Sequence, residues 1–340
     1  MTPSTDAVPL KPARARIAVL VAMALVYAVA TQLPLPGLDL DFFVYDLSAK
    51  GRTATSVAAL GVAPFIGAIL LFEIARLAAP PLARWAASPA NAGRFDTIVW
   101  ALALVLAASQ GFAVARGIEA VQGVVDEPGA AFEGMVAATM LGATAILGAL
   151  ARMTRRAGAG DGFLIIFVAP MLIATASQAE TSWRHTPAAL DAAVVIVATA
   201  LLIVGALASR RALPGPLGFG GGPLDPLPPL IGMMFAGLPA LAPLAFGAPA
   251  LEGAERTMAT AAFGAALIAL VAAMRANLPG ATEPRRAPWP ATLATIGVAA
   301  GLPLVQLAAP SLSLPSGYAM VFVVAAALSV LEALRPAARD

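Results

Sequence analysis

The chain has 340 residues, of which 60% are hydrophobic and 12% charged, with a formal net charge of +2. An average soluble domain carries roughly 25% charge, and the mean hydropathy here is +0.85. A water-facing surface of this size could not be covered, which argues against a soluble enzyme, a nucleic-acid binder and a disordered scaffold and for a polytopic membrane protein. The absence of cysteine excludes disulfides, thiol nucleophiles and Cys-ligated metals. The single histidine, His185, removes His-rich metal sites and most general-base schemes.

Uncharged stretches long enough to cross a bilayer run over 17–38, 53–72, 97–115, 134–151, 162–179, 192–209, 226–251 and 257–274. A ninth, 287–331, is broken by Pro310, Ser311, Ser313, Pro315, Ser316 and Gly317 and reads as two crossings. The expected fold class is therefore all-α, with ten transmembrane helices. The first apolar run is too long for a cleaved signal peptide and reads as a permanent span. Sorting Lys and Arg by alternating connections puts 16 on one side and five (Lys50, Arg52, Arg116, Arg184, Arg256) on the other. That asymmetry predicts that both termini are cytoplasmic.

The spans hold almost no ionisable groups, although ion-coupled transporters place them at mid-membrane. Glu73 reads as an i,i+3 partner of Arg76 at the cytoplasmic interface. Asp96, Asp161 and Asp225 each precede a span and read as helix caps. His185, beside Trp183 and Arg184, reads as a solvated interfacial histidine. The run Gly158–Gly162 lacks the GK[ST] ending of a phosphate loop. No catalytic, cofactor or metal site is expected. An inert interior suits a passive pathway or a scaffold better than a pump.

Helix breakers are frequent for such a chain, with 30 glycines and 29 prolines, and they cluster in stretches that resemble the SecY protein-conducting channel in the family's order. Gln32–Asp39 (QLPLPGLD) is similar to the family's "IPLPGID", and Ser56–Leu70 (SVAALGVAPFIGAIL) to its "SIFALGIMPYISASII". Leu104–Gly111 resembles "VLALIQ", and Gly158–Phe167 resembles "GIGNGISLLIF". Pro223–Ala236 resembles "PL…GVIPxIFA", and Tyr318–Val324 is a looser echo of "TSLLIVV". The likeness is strong in the first half and weak beyond about residue 250.

The resemblance implies two five-helix halves related by an inverted pseudo-two-fold axis. They would be 17–185, with a plug-like segment at about 41–55, and 186–334, between short cytoplasmic tails at 1–16 and 335–340. It implies a channel that passes unfolded preproteins across the bacterial inner membrane and releases membrane segments through a lateral gate. Val62, Ile66, Phe167, Met171, Met234 and Phe322 fall at the family's pore-ring positions, with Gln110 and Gly67 at the lateral gate. An apolar ring of this kind resists ions by dewetting, while ordinary helix packing explains the same residues without a pore. Implied partners are SecE-like and SecG-like subunits, a SecA motor or a ribosome, the preprotein and membrane lipid, with no direct nucleic-acid contact. The connections 209–225 and 275–290 are shorter than in the family, and its "PGIRPG" motif is reduced to Leu278–Pro284 without the Arg. Arg210, Arg211, Arg285 and Arg286 are left as candidate partner contacts. The trimmed loops keep open a specialised or accessory SecY paralogue. A small-solute secondary transporter is the alternative from a different class.

Overall fold

The computed structural model describes residues 13–47, 49–121, 123–157, 159–182, 188–210, 253–276, 289–312 and 314–334. The regular elements among these residues are helices, with two isolated antiparallel bridges, Pro34 to Ser56 and Leu38 to Val125. In chain order the helices are α1 (Ala13–Ala30), α2 (Ala49–Ala54), α3 (Ala63–Ala78), α4 (Pro80–Ala87), α5 (Ala92–Glu119) and α6 (Ala130–Arg156). They continue with α7 (Gly162–Ser182), α8 (Ala188–Arg210), α9 (Gly253–Ala276), α10 (Trp289–Ala308) and α11 (Gly317–Leu334).

Five of these are long and apolar enough to cross a membrane: Gly93–Glu119, Ala130–Arg156, Leu190–Ala208, Gly253–Met274 and Trp289–Ala308. Gly162–Leu172 and Gly317–Leu331 are shorter apolar helices. The span expected over 226–251 lies outside the described residues. Many large apolar side chains face outward, including Val21, Leu25 and Val29 on α1 and Ile196, Val197, Leu201 and Val204 on α8. Water would penalise such faces, whereas lipid tails are as apolar as they are.

Local chemistry sets the helix ends. The first apolar run continues to residue 38, but α1 stops at Ala30. Pro34 and Pro36 offer no backbone N–H, and Gly37 turns the chain at φ +82°. Residues 33–35 then pair with 55–57: Leu35 N–H donates to Thr55 O at 3.1 Å and Val57 N–H to Leu33 O at 2.9 Å. The second long apolar helix begins late, at Ala63 with Pro64 in its first turn, where a missing donor costs nothing. Glu133 in the first turn of α6 and Arg155 and Arg156 in its last complement the helix dipole.

Two packing groups follow. In the first, α6 packs against α1, α5 and α7, α1 also touches α7, and α3 lies against α5. In the second, α10 packs against α8, α9 and α11, and α8 also touches α11. The groups meet where α7 lies along α11. A large buried cluster spans that seam and reaches from Met23 on α1 to Ala326 on α11. A smaller cluster gathers Leu35, Leu38, Phe43, Ile118, Val124, Phe132, Val136 and Met140.

Candidate functional site

Five of the six predicted ring residues come together in the large cluster. Val62 immediately precedes α3 and is 1% exposed, Ile66 lies in the first turn of α3, and Phe322 lies on α11; all three are buried. Phe167 and Met171, one turn apart on α7, are partly buried against the same large cluster. The rings of Phe167 and Phe322 meet edge to face, with centroids 5.3 Å apart and planes at 74°. The sixth residue, Met234, lies outside the described residues.

Phe167 and Phe322 hold matching places in their helices. Each stands five residues past a helix-opening glycine, Gly162 in α7 and Gly317 in α11. Both glycines allow close approach to the preceding long helix. A Cβ at Gly162 would fall 2.6 Å from the Cα of Ala151 on α6, and one at Gly317 would fall 3.0 Å from the Cα of Ala299 on α10. Real Cβ atoms do not tolerate the first distance, so only glycine lets α7 start there.

The cytoplasmic-side expectations divide. Asp161 caps α7, because its Oδ1 accepts from the N–H groups of Phe163 at 3.0 Å and Leu164 at 3.2 Å. Its own N–H donates to Ser329 Oγ on α11 at 2.9 Å. Glu73 accepts from Arg76 at 2.7 Å as the expected i,i+3 pair, with the carboxylate fully buried. Asp96 is a correction. The helix starts at Ala92, too early for Asp96 to cap it, and Asp96 instead forms an ion pair with Arg152 of α6. The Arg152 guanidinium also lies 5.2 Å over the Trp100 ring. Asp225 and His185 lie outside the described residues.

Of the proposed gate residues, Gln110 is half-buried on α5. A Cβ at Gly67 would lie in ordinary contact, 3.5 Å from Leu106 Cδ1 one turn earlier on α5. Gly67 therefore faces α5, one turn before Gln110. The plug-like stretch contains a π-helical turn, Phe42–Asp46, followed by α2. Phe43 is buried in the smaller cluster, while α2 lies against α7. Arg52 of α2 donates to Leu47 O at 3.2 Å and Val44 O at 3.4 Å, bracing the end of the turn. Arg210 is the last residue of α8. Arg211, Arg285, Arg286 and the stretch 278–284 lie outside the described residues.

Reading along the chain missed Ser329, a serine within an apolar helix, and the Asp96–Arg152–Trp100 group. The recurrence of a phenylalanine five residues past a helix-opening glycine was available in the sequence as a signal for the α7–α11 seam.

Residues 56–214 match the family model described as SecY. Among curated proteins, the chain is similar to the protein translocase subunit SecY of Aquifex aeolicus (strain VF5). The two are 28% identical over 180 residues, covering 46% of this chain and 42% of that protein. The chain thus matches less than half of the relative's length. The family-model match contains Val62, Ile66, Gly67, Gln110, Phe167 and Met171, and ends before Met234 and Phe322.

Proposed function

We propose that this chain, a divergent member of the SecY family, is the channel subunit of a Sec-type translocase that passes unfolded polypeptides across the membrane. The observation that carries the reading is the convergence of Val62, Ile66, Phe167, Met171 and Phe322 in one buried apolar cluster, drawn from α3, α7 and α11. A constriction of aliphatic, aromatic and thioether side chains excludes ions because water in it is unstable. Unbranched Met adapts to irregular surfaces, which suits a seal that must close around a passing chain. None of these side chains performs chemistry, so the driving energy would come from a partner such as a SecA motor or a ribosome.

Two features support halves related by an inverted repeat. Four contacts of one set have counterparts in the other: α5–α6, α1–α6, α6–α7 and α1–α7 against α9–α10, α8–α10, α10–α11 and α8–α11. The last members of the two sets, α7 and α11, run antiparallel, since residue 161 meets residue 329 and residue 167 meets residue 322. Equivalent positions that touch each other lie on or beside a two-fold axis. SecE-like and SecG-like subunits would complete the assembly, in a bacterial cytoplasmic membrane with both termini inside. Lateral release of membrane segments would run past Gly67 and Gln110, between the α3–α5 pair and spans 7 and 8 of the other half.

The test is a stalled secretory precursor and photocrosslinkers placed in this chain, one at a time, at 62, 66 and 167 and at the exposed Val197 and Leu201. Crosslinks to the precursor from the first three support the pore. Crosslinks confined to lipid-facing positions such as Val197 and Leu201 would mean that the chain does not conduct polypeptides through this cluster.

A further inference from the structure

The seam between α7 and α11 has two rungs. One is aromatic, Phe167 against Phe322. The other is polar, Asp161 N–H to Ser329 Oγ. Ser329 stands seven residues after Phe322, two helical turns on the same face, and Asp161 stands six residues before Phe167. Both members of the polar rung are buried, Asp161 at 1% and Ser329 at 2% exposure.

The polar rung is the directional one. Asp161 precedes the first turn of α7, so its amide lies outside the helix's own hydrogen-bond ladder. The carboxylate is engaged in capping. A buried N–H must find an acceptor, and Ser329 provides it from 168 positions away. The rest of the α11 face is Val321, Ala325, Ala326 and Leu328, which can slide without changing its chemistry. A slip of one turn, about 5.4 Å, would place Ala325 or Ala333 opposite Asp161, and neither side chain accepts a hydrogen bond. The same slip would replace Phe322 with Tyr318 or Ala326 opposite Phe167. Gly160 fits this arrangement. It holds φ +94°, and a Cβ there would lie 3.2 Å from the Ser329 carbonyl oxygen, so a side chain at this position would be strained and would press on α11 beside Ser329.

We propose that Ser329 is a positioning residue for the constriction: its hydroxyl sets the register of α11 along α7 and so holds the Phe322 ring on the Phe167 ring. The role of those rings in a pore rests on the function proposed above; the register itself does not.

The protein lacks cysteine, so paired cysteines can be introduced cleanly. Phe167→Cys with Phe322→Cys, joined by a short bis-thiosulfonate spacer in intact membranes, reports the register. Ser329→Ala should lower the yield of that pair about three- to tenfold, the range of one neutral hydrogen bond, and raise the yield of Phe167→Cys with Tyr318→Cys or Ala326→Cys. Ser329→Thr, which keeps the hydroxyl, should restore the 167–322 pair. Gly160→Ala should move the yields as Ser329→Ala does. Equal 167–322 yields in the parent and Ser329→Ala, at equal amounts of folded protein, would overturn the inference. A shifted register with no change in ion leak would leave it standing and count against the pore reading instead.

Discussion

Phe167 and Phe322 lie 155 residues apart in the chain, yet their rings meet edge to face with centroids 5.3 Å apart. Such pairs contribute about 0.5–1.5 kcal/mol beyond the area they bury. A double-mutant cycle with Phe167→Ala and Phe322→Ala, read by unfolding in detergent, should therefore show coupling of that size. Zero coupling would mean that the rings do not meet. In proteoliposomes Phe322→Gly should raise ion leak, because it opens the cluster at a point where two helices close on one another. An unchanged leak would remove the gasket role.

Asp161 accepts from two amides of the first turn of α7 inside the protein. Replacing an N-cap acceptor with alanine costs about 0.5–2 kcal/mol, and burial places this site toward the upper end. Asp161→Ala should lower the unfolding midpoint clearly, and Asp161→Asn, which keeps one acceptor oxygen, should recover most of the loss. Identical midpoints for parent and Asp161→Ala would contradict the cap.

Gly148 on α6 faces the ring of Phe65. A Cβ there would fall 2.4 Å from Phe65 Cε2. That ring is held on two other sides, 4.7 Å from Trp100 and 5.3 Å from Phe163 between centroids, so it has little freedom to turn. Overpacking of this kind costs about 1–3 kcal/mol. Gly148→Ala should destabilise by that amount, and adding Phe65→Leu should relieve part of it. If Gly148→Ala is neutral, α6 does not approach α3 this closely.

Much of the fold was legible because hydropathy and charge act over whole segments, and a 20-residue apolar run has few alternatives to crossing a membrane. The misplaced helix ends were local. Apolarity runs to residue 38 while α1 ends at Ala30, because proline and a left-handed glycine decide backbone geometry without changing hydropathy. Asp161 could be read as a cap because a cap is a relation between neighbours. Asp96 could not be read correctly, since its partner Arg152 lies 56 residues away and only packing of α5 on α6 joins them. Ser329 was invisible for the same reason. The candidate ring residues were chosen through family likeness rather than composition, because apolar side chains fill every span and those of a pore would look like those of a core.

The distribution of arginine makes a prediction about sidedness. Arg84, Arg155 and Arg156 are exposed at one end of the first packing group, the end that also holds the Asp96–Arg152 pair. Asp126 and Glu127 are exposed at the other, beside the antiparallel bridge of Leu38 to Val125. Positive charge is retained on the cytoplasmic side during insertion, so the arginine end should face the cytoplasm. Single cysteines at Arg84 and Glu127 in this cysteine-free chain can be probed with a membrane-impermeant maleimide on intact cells. Glu127→Cys should label directly, and Arg84→Cys only after permeabilisation. The reverse pattern would invert the protein in the membrane, place the Asp161–Ser329 rung at the outer face, and leave no cytoplasmic surface there for a motor or a ribosome to approach.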